Sequence, residues 1–290
     1  MPDVTLSTGA VHYEKSGPTG GRPIVFIHGY TMSTSLWHEL TDRLTGRGLQ
    51  CFAPTWPLGA HTEPVRDGVE LTMECVAAMV AEFLEALELH DVVLVGNDTG
   101  GAIAQIVATT APARIGALVL TSCDAFEHFP PKGFAPLMAA AKTAPTFHAL
   151  LATLRTKPVR RRGYGMLTHT DIDQMVQEWI EPALTDSRIR EDLRKFTGSL
   201  KRETMLDAGA RLGQFTKPAL IAWSADDTFF PIDDARRLAA ALPDSRLEMI
   251  EGARTFSMID QPDALANVIA EFAGAGQGTG AATVAGPAAG

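Results

Sequence analysis

Four short runs decide what this chain can become: residues 23–28 (Pro-Ile-Val-Phe-Ile-His), 91–95, 115–121 and 218–223. Each is a nearly unbroken apolar stretch of strand length. A strand without a polar face must be covered on both sides. Between the second and third runs, residues 100–110 read as a helix that stops before Pro112. Before the second, residues 71–89 place Val76, Val80, Phe83, Leu84 and Leu87 on one helical face, with Thr72 positioned to cap it. A helix from about Thr34, with Leu36, Leu40 and Leu44 aligned, leads to a strand at 50–53. Two short strands, 4–6 and 11–13, open the chain around a turn at Gly9. Buried strands alternating with amphipathic helices predict a mostly parallel sheet flanked by helices.

The alternation breaks between 125 and 212, where helical segments follow one another without a convincing strand. It resumes with a strand at 218–223, a helix at 233–242, a strand at 246–250 and a helix at 264–272. This predicts an α/β core from 1–124 and 213–273, a helical cap at 125–212, and a disordered Gly/Ala-rich tail at 274–290. With 290 residues and 46% apolar content, the chain can bury a substantial core. A net charge of −9 opposes binding to nucleic acid. Cys51, Cys75 and Cys123 have no metal-like or framework spacing, so reduced thiols in the cytoplasm are expected. No signal peptide is visible, and no apolar stretch approaches a membrane span. No cofactor or metal is expected, and the chain reads as a monomer or homodimer.

The chemistry concentrates in Leu94-Val95-Gly96-Asn97-Asp98-Thr99-Gly100-Gly101, where a buried strand runs straight into a helix. Glycines two residues either side of Asp98 permit a sharp turn that presents the central side chain above the sheet. The following helix points its first N–H groups at the same place. A carboxylate there can displace a leaving group from carbon and form an ester. An aspartate at a helix start can also simply cap it. With Ile27-His28-Gly29-Tyr30 and Ala225-Asp226-Asp227-Thr228-Phe229-Phe230-Pro231, this turn resembles the α/β-hydrolase superfamily. The likeness extends to the Asp-nucleophile branch, the haloalkane dehalogenases and epoxide hydrolases. The resemblance implies an eight-stranded α/β-hydrolase fold with an inserted helical cap. It assigns Asp98 as nucleophile, Asp227 as supporting acid, and the Tyr30 and Thr99 N–H groups as anion hole, with His28 structural.

The resemblance fails first at the histidine. The stretch Glu251-Gly252-Ala253-Arg254-Thr255-Phe256 puts Thr255 where the family has its histidine base, and the last histidine of the chain is His169. A threonine hydroxyl can orient water but is a poor proton acceptor. The halide-cradling tryptophan after the nucleophile is here Thr99, and only Tyr164 of the three tyrosines lies in the cap. Two readings stay open. In one, another base serves, with His61 in Gly59-Ala60-His61-Thr62 the leading candidate and His128 and His169 behind it; Asp124, just past a strand end, is an additional acid. In the other, Asp98 is a general base or polar anchor in a lyase, an isomerase or a ligand-binding protein. Phe126, Trp179 and Tyr164 are expected to line a pocket for a small apolar substrate. The basic run Arg155, Lys157, Arg160, Arg161 and Arg162 reads as a solvated face or as a site for an acidic group.

Overall fold

The apolar runs come together in one sheet of eight strands: β1 Asp3–Leu6, β2 Gly9–Ser16, β3 Pro23–Ile27, β4 Gln50–Pro54, β5 Val92–Asp98, β6 Ile115–Cys123, β7 Ala219–Ser224 and β8 Ser245–Ile250. A computed structural model describes residues 2–274. The tail expectation therefore falls, beyond Gly274, outside the described residues. The spatial order is β1-β2-β4-β3-β5-β6-β7-β8. β1 pairs with β2, and β2 with β4, antiparallel; every later pairing is parallel.

Successive side chains on a strand face opposite ways, and the central strands divide their residues between two cores accordingly. Val25, Ile27, Leu94, Leu118 and Leu120 pack on one face of the sheet; Ile24, Phe26, Val93, Val95, Ala117 and Val119 pack on the other. Each fully buried aliphatic chain contributes about 1.5–3 kcal/mol. That two-sided burial is what the unbroken runs require.

The helices are α1 His38–Thr45, α2 Met73–Ala86, α3 Thr99–Thr110, α4 Ala135–Ala140, α5 Ala144–Ala152, α6 Lys157–Tyr164, α7 Asp173–Thr185, α8 Ser187–Ser199, α9 Arg202–Arg211, α10 Ile232–Ala241, α11 Ser257–Asp260 and α12 Pro262–Phe272. Thr72 caps α2 by accepting from the Cys75 N–H at 3.1 Å. The helix expected from Thr34 begins instead as a 3-10 turn, Thr34–Trp37, before α1. Between β6 and β7 every described element is helical, six α-helices with short 3-10 turns. Among the described residues no helix is long and apolar enough to cross a membrane.

One boundary differs in an instructive way. A strand stop is expected at Gly96, yet β5 continues to Asp98. A side chain at Gly96 would put Cβ 2.6 Å from the Gly100 carbonyl oxygen. The glycine therefore does not end the strand; it lets α3 fold back against it.

Candidate active site

Asp98 ends β5 and caps α3 with φ 55° and ψ −132°. This conformation is costly for a residue with a side chain, on the order of 1–3 kcal/mol, and persists only where the surroundings impose it. They do so through missing side chains. A Cβ at Gly100 would lie 2.0 Å from the Ile27 carbonyl oxygen, and one at Gly29 would lie 2.3 Å from Asp98 Oδ1. The absent atoms let β3, the loop after it and the start of α3 close around one carboxyl group.

Two backbone donors converge on that group. The Tyr30 N–H reaches Asp98 Oδ1 at 3.2 Å and the Thr99 N–H reaches it at 2.7 Å. Asp98 is 6% exposed. Burial pushes its carboxyl above the usual range, the Thr99 and Tyr30 hydrogen bonds pull it back, and the neighbouring Asp227 adds to the rise.

Asp227 follows β7 and is held in a similar way. Its Oδ1 accepts from the Phe229 and Phe230 N–H groups at 2.7 and 2.9 Å. Its Oδ2 accepts from the Thr255 hydroxyl at 3.0 Å. Burial raises this carboxyl too, against those hydrogen bonds and one from Ser122. Thr255 is fully buried, and its hydroxyl proton points at a carboxylate. Asn97, which the sequence offered only as part of the turn, ties these pieces together. Its Nδ2 donates to Thr121 Oγ1 at 3.0 Å, the Ser122 carbonyl at 3.1 Å and the Thr255 carbonyl at 2.9 Å. The residue before Asp98 thus holds the backbone of Thr255. Neighbouring side chains so far apart in sequence give no local signal of this.

Above Asp98 lies a cavity of about 600 Å³. Its walls are mostly apolar and come largely from the helical insertion, including Phe134, Leu137, Leu151, Leu154 and Met166. Tyr30 and Tyr164 both line it. The Tyr30 hydroxyl bonds Thr197 Oγ1 and the Tyr164 hydroxyl bonds Thr31 Oγ1. Burial pushes the Tyr164 phenol up to about 12, so both phenols are neutral hydroxyls at ordinary pH. Among the described residues, Asp98 is the one acidic side chain in the lining and Arg162 the one basic one, and no histidine belongs to it.

Several expected residues are placed elsewhere, and each has a physical reason. His61 is a correction. It is 5% exposed, accepts from the Gly59 N–H at Nδ1 (3.3 Å), and meets Asp192 of α8 at Nε2 (3.4 Å). Both ring nitrogens are engaged away from the cavity lining. His128 pairs with Asp234, and His169 with Asp226. Phe126 is corrected as well: it packs beneath the Arg237 guanidinium, 4.1 Å from the ring centre, and does not line the cavity. Trp179 is fully buried against Phe256 and Tyr164 with its Nε1–H on Ser35, so it packs behind the wall rather than in it. His28 is held neutral by burial, its pKa lowered to about 4, and its Nε2 accepts from the Trp56 N–H. Of the basic run, Arg160 is paired with Asp173 and Arg161 with Asp171, while Lys157 reaches both acids. Among the described residues Arg162 has no ion-pair partner, and it stands exposed at the cavity mouth. Among those residues no cluster of His, Cys, Asp or Glu is placed to hold a metal ion.

Comparison with known proteins agrees with this architecture. A curated relative from Dechloromonas aromatica, a 2-hydroxy-6-oxononadienedioate/2-hydroxy-6-oxononatrienedioate hydrolase, is 25% identical over 270 residues, covering 90% of each chain. One of the same name from Burkholderia vietnamiensis is 27% identical over 276 residues, again covering 90% of each. Among solved structures, an alpha/beta hydrolase fold protein from Burkholderia ambifaria superposes with TM-score 0.77 at 18% identity, over 93% of this chain and 97% of its own. An inferred ancestral haloalkane dehalogenase superposes with TM-score 0.76 at 17% identity, over 94% and 98%. These two share the fold. The family profile described as alpha/beta hydrolase fold matches residues 22–262, most of the chain. With its sheet order, its elbow and that match together, the chain belongs to the alpha/beta hydrolase fold family.

Proposed function

We propose that this protein is a hydrolase of a small, largely apolar compound carrying a halide, epoxide or ester, and that Asp98 is its nucleophile. One observation carries the reading: the Asp98 carboxyl, the single one among the described residues lining an apolar cavity, has one oxygen fixed by two backbone N–H groups. Oδ1 is the anchored oxygen, so Oδ2 is the atom left to attack. A lone pair on Oδ2 forms a bond to a saturated substrate carbon, and the pair of the broken bond goes to the departing halide, to the departing carboxylate of an ester attacked at its alkyl carbon, or to the opened epoxide oxygen, which stays attached. The Tyr30 and Thr99 N–H groups hold the ester carbonyl that results and stabilise the oxyanion when water attacks it. The phenols of Tyr30 and Tyr164 are neutral donors within the same cavity, suited to an alkoxide or halide leaving group.

The water-activating step is the weak one. Thr255 donates to Asp227 instead of accepting a proton, and among the described residues no histidine lines the cavity. Ester formation should therefore outrun ester cleavage. The curated relatives are named for dioate substrates, and Arg162 at the mouth offers a place for one anionic end.

A second reading is favoured by the same missing histidine together with the buried, raised carboxyl of Asp98. In it Asp98 moves a proton, or anchors a ligand, and no ester forms. Intact-protein mass spectrometry after exposure to alkyl halides, epoxides and esters separates the two. A persistent mass increase localised to Asp98 supports the nucleophile. Turnover without an adduct means that another base cleaves the ester quickly. Neither adduct nor turnover across the panel removes the hydrolytic reading.

A further inference from the structure

Asp124 is the buried acid that the proposed reaction does not use. It follows β6, is 3% exposed, and has its backbone N–H on the Asp98 carbonyl. Its Oδ2 meets the Thr99 hydroxyl at 3.2 Å, while its Oδ1 is buried with no hydrogen-bond partner. The groups facing it are Asp98 from the elbow and Asp234 from α10. Asp234 is itself paired with His128 and Arg237. Among the described residues no Lys, Arg or His pairs with Asp124.

Thr99 is the shared residue: its backbone N–H is on Asp98 Oδ1 and its hydroxyl is on Asp124 Oδ2. Two buried carboxyls on either side of one residue cannot both be charged without a large penalty. They differ in what else supports a charge. Asp98 has two backbone N–H groups and the first turn of α3. Asp124 has the hydroxyl alone.

We infer that Asp124 is a neutral carboxylic acid in the folded protein and that, across Thr99, it leaves Asp98 as the charged member of the pair. The Asp124 carboxyl then donates to Thr99 Oγ1, while the Thr99 N–H donates to Asp98 Oδ1. Asp124 is a positioning residue here: it touches no substrate and keeps the charge at the elbow to one. Burial and the Asp98 charge both push the Asp124 carboxyl well above the usual range, in agreement with that assignment. The inference rests on Asp98 being the reactive, ionised group, and it is testable apart from reactivity.

The test is infrared spectroscopy of the protein with isotopically labelled aspartate carboxyls, in the absence of substrate. Wild type near neutral pH should show the carbonyl stretch of a protonated carboxyl. Asp124→Asn should lose it, and Asp227→Asn should keep it. No such band in wild type, or one that survives Asp124→Asn, overturns the assignment. Thermal unfolding supplies a second readout. A carboxyl whose folded pKa is raised contributes stability at low pH that is lost as pH climbs above its unfolded value of about 3.9. Asparagine does not titrate, so the Tm of Asp124→Asn relative to wild type should climb steadily from about pH 5 to 8. A Tm difference that stays constant with pH would mean a purely structural role and would also overturn the assignment. If Asp98 fails to alkylate while the band behaves as stated, the nucleophile reading falls and the proton assignment stands.

Discussion

The floor and the mouth of the cavity are built by opposite means. The floor is made of backbone: two N–H groups, a strained elbow, and glycines whose missing Cβ atoms let three segments meet. Nothing there can shift by much without a clash. The mouth is made of side chains from the helical insertion, among them Leu137, Leu154, Met166 and Arg162. Met166 and Arg162 are exposed, and the packing of such residues tolerates change. The difference teaches where rigidity and tolerance reside. On the proposed function, the fixed floor would set which atom reacts and the adaptable mouth what reaches it.

The comparison breaks most sharply at Asp98. Asp98→Asn keeps the shape and accepts the positive φ, but has no nucleophilic oxygen. Adduct formation, followed by intact mass, should drop on the order of 10⁴-fold or more. Stability should hold or rise, because a buried carboxyl with a raised pKa is gone. Retained alkylation in this variant would move the chemistry away from the floor.

Gly100→Ala tests the backbone claim itself. The added carbon would sit 2.0 Å from the Ile27 carbonyl oxygen, so the chain must move. We expect a loss of about 3 kcal/mol or more in chemical denaturation. A variant as stable as wild type would show that the elbow is not held by close approach.

Thr255→His sharpens the contrast from the other side of the floor. A histidine beside Asp227 supplies the missing proton acceptor, and turnover should rise by roughly 10²–10⁴-fold. The adduct should become short-lived. The site is fully buried, so a denaturation curve must accompany the kinetics, since overpacking costs about 1–3 kcal/mol. Unchanged turnover in a folded variant would mean that the absent histidine does not limit the reaction.

The smallest effect belongs to the mouth. Arg162→Gln should raise KM a few-fold for substrates with an anionic end and leave uncharged substrates alone, because an exposed charge is worth roughly 1 kcal/mol or less. Equal effects on both substrate classes would make Arg162 part of a solvated surface only.

The strands and their faces could be read directly from the sequence, as could the elbow. Apolar runs at 23–28, 91–95 and 115–121 became β3, β5 and β6 with small shifts at their ends. The reason is local: an uninterrupted apolar run has one way to be buried, and glycine at 96 and 100 has few other uses beside a strand and a helix. That no histidine follows His169 in the chain was equally visible, because it needed only chain order.

What the sequence could not decide is which side chains share a space. His61, Phe126 and Trp179 were plausible neighbours of Asp98, yet each is claimed by a partner far along the chain: Asp192, Arg237 and Ser35. Arg162 and Arg160 lie two positions apart, and one is bound to Asp173 while the other stands at the cavity mouth. Thr99, with its N–H on Asp98 and its hydroxyl on Asp124, has no sequence signature at all. Pattern along a chain fixes which face of an element turns inward. Packing between elements fixes which of those inward groups meet, and that depends on distances that only the folded chain sets.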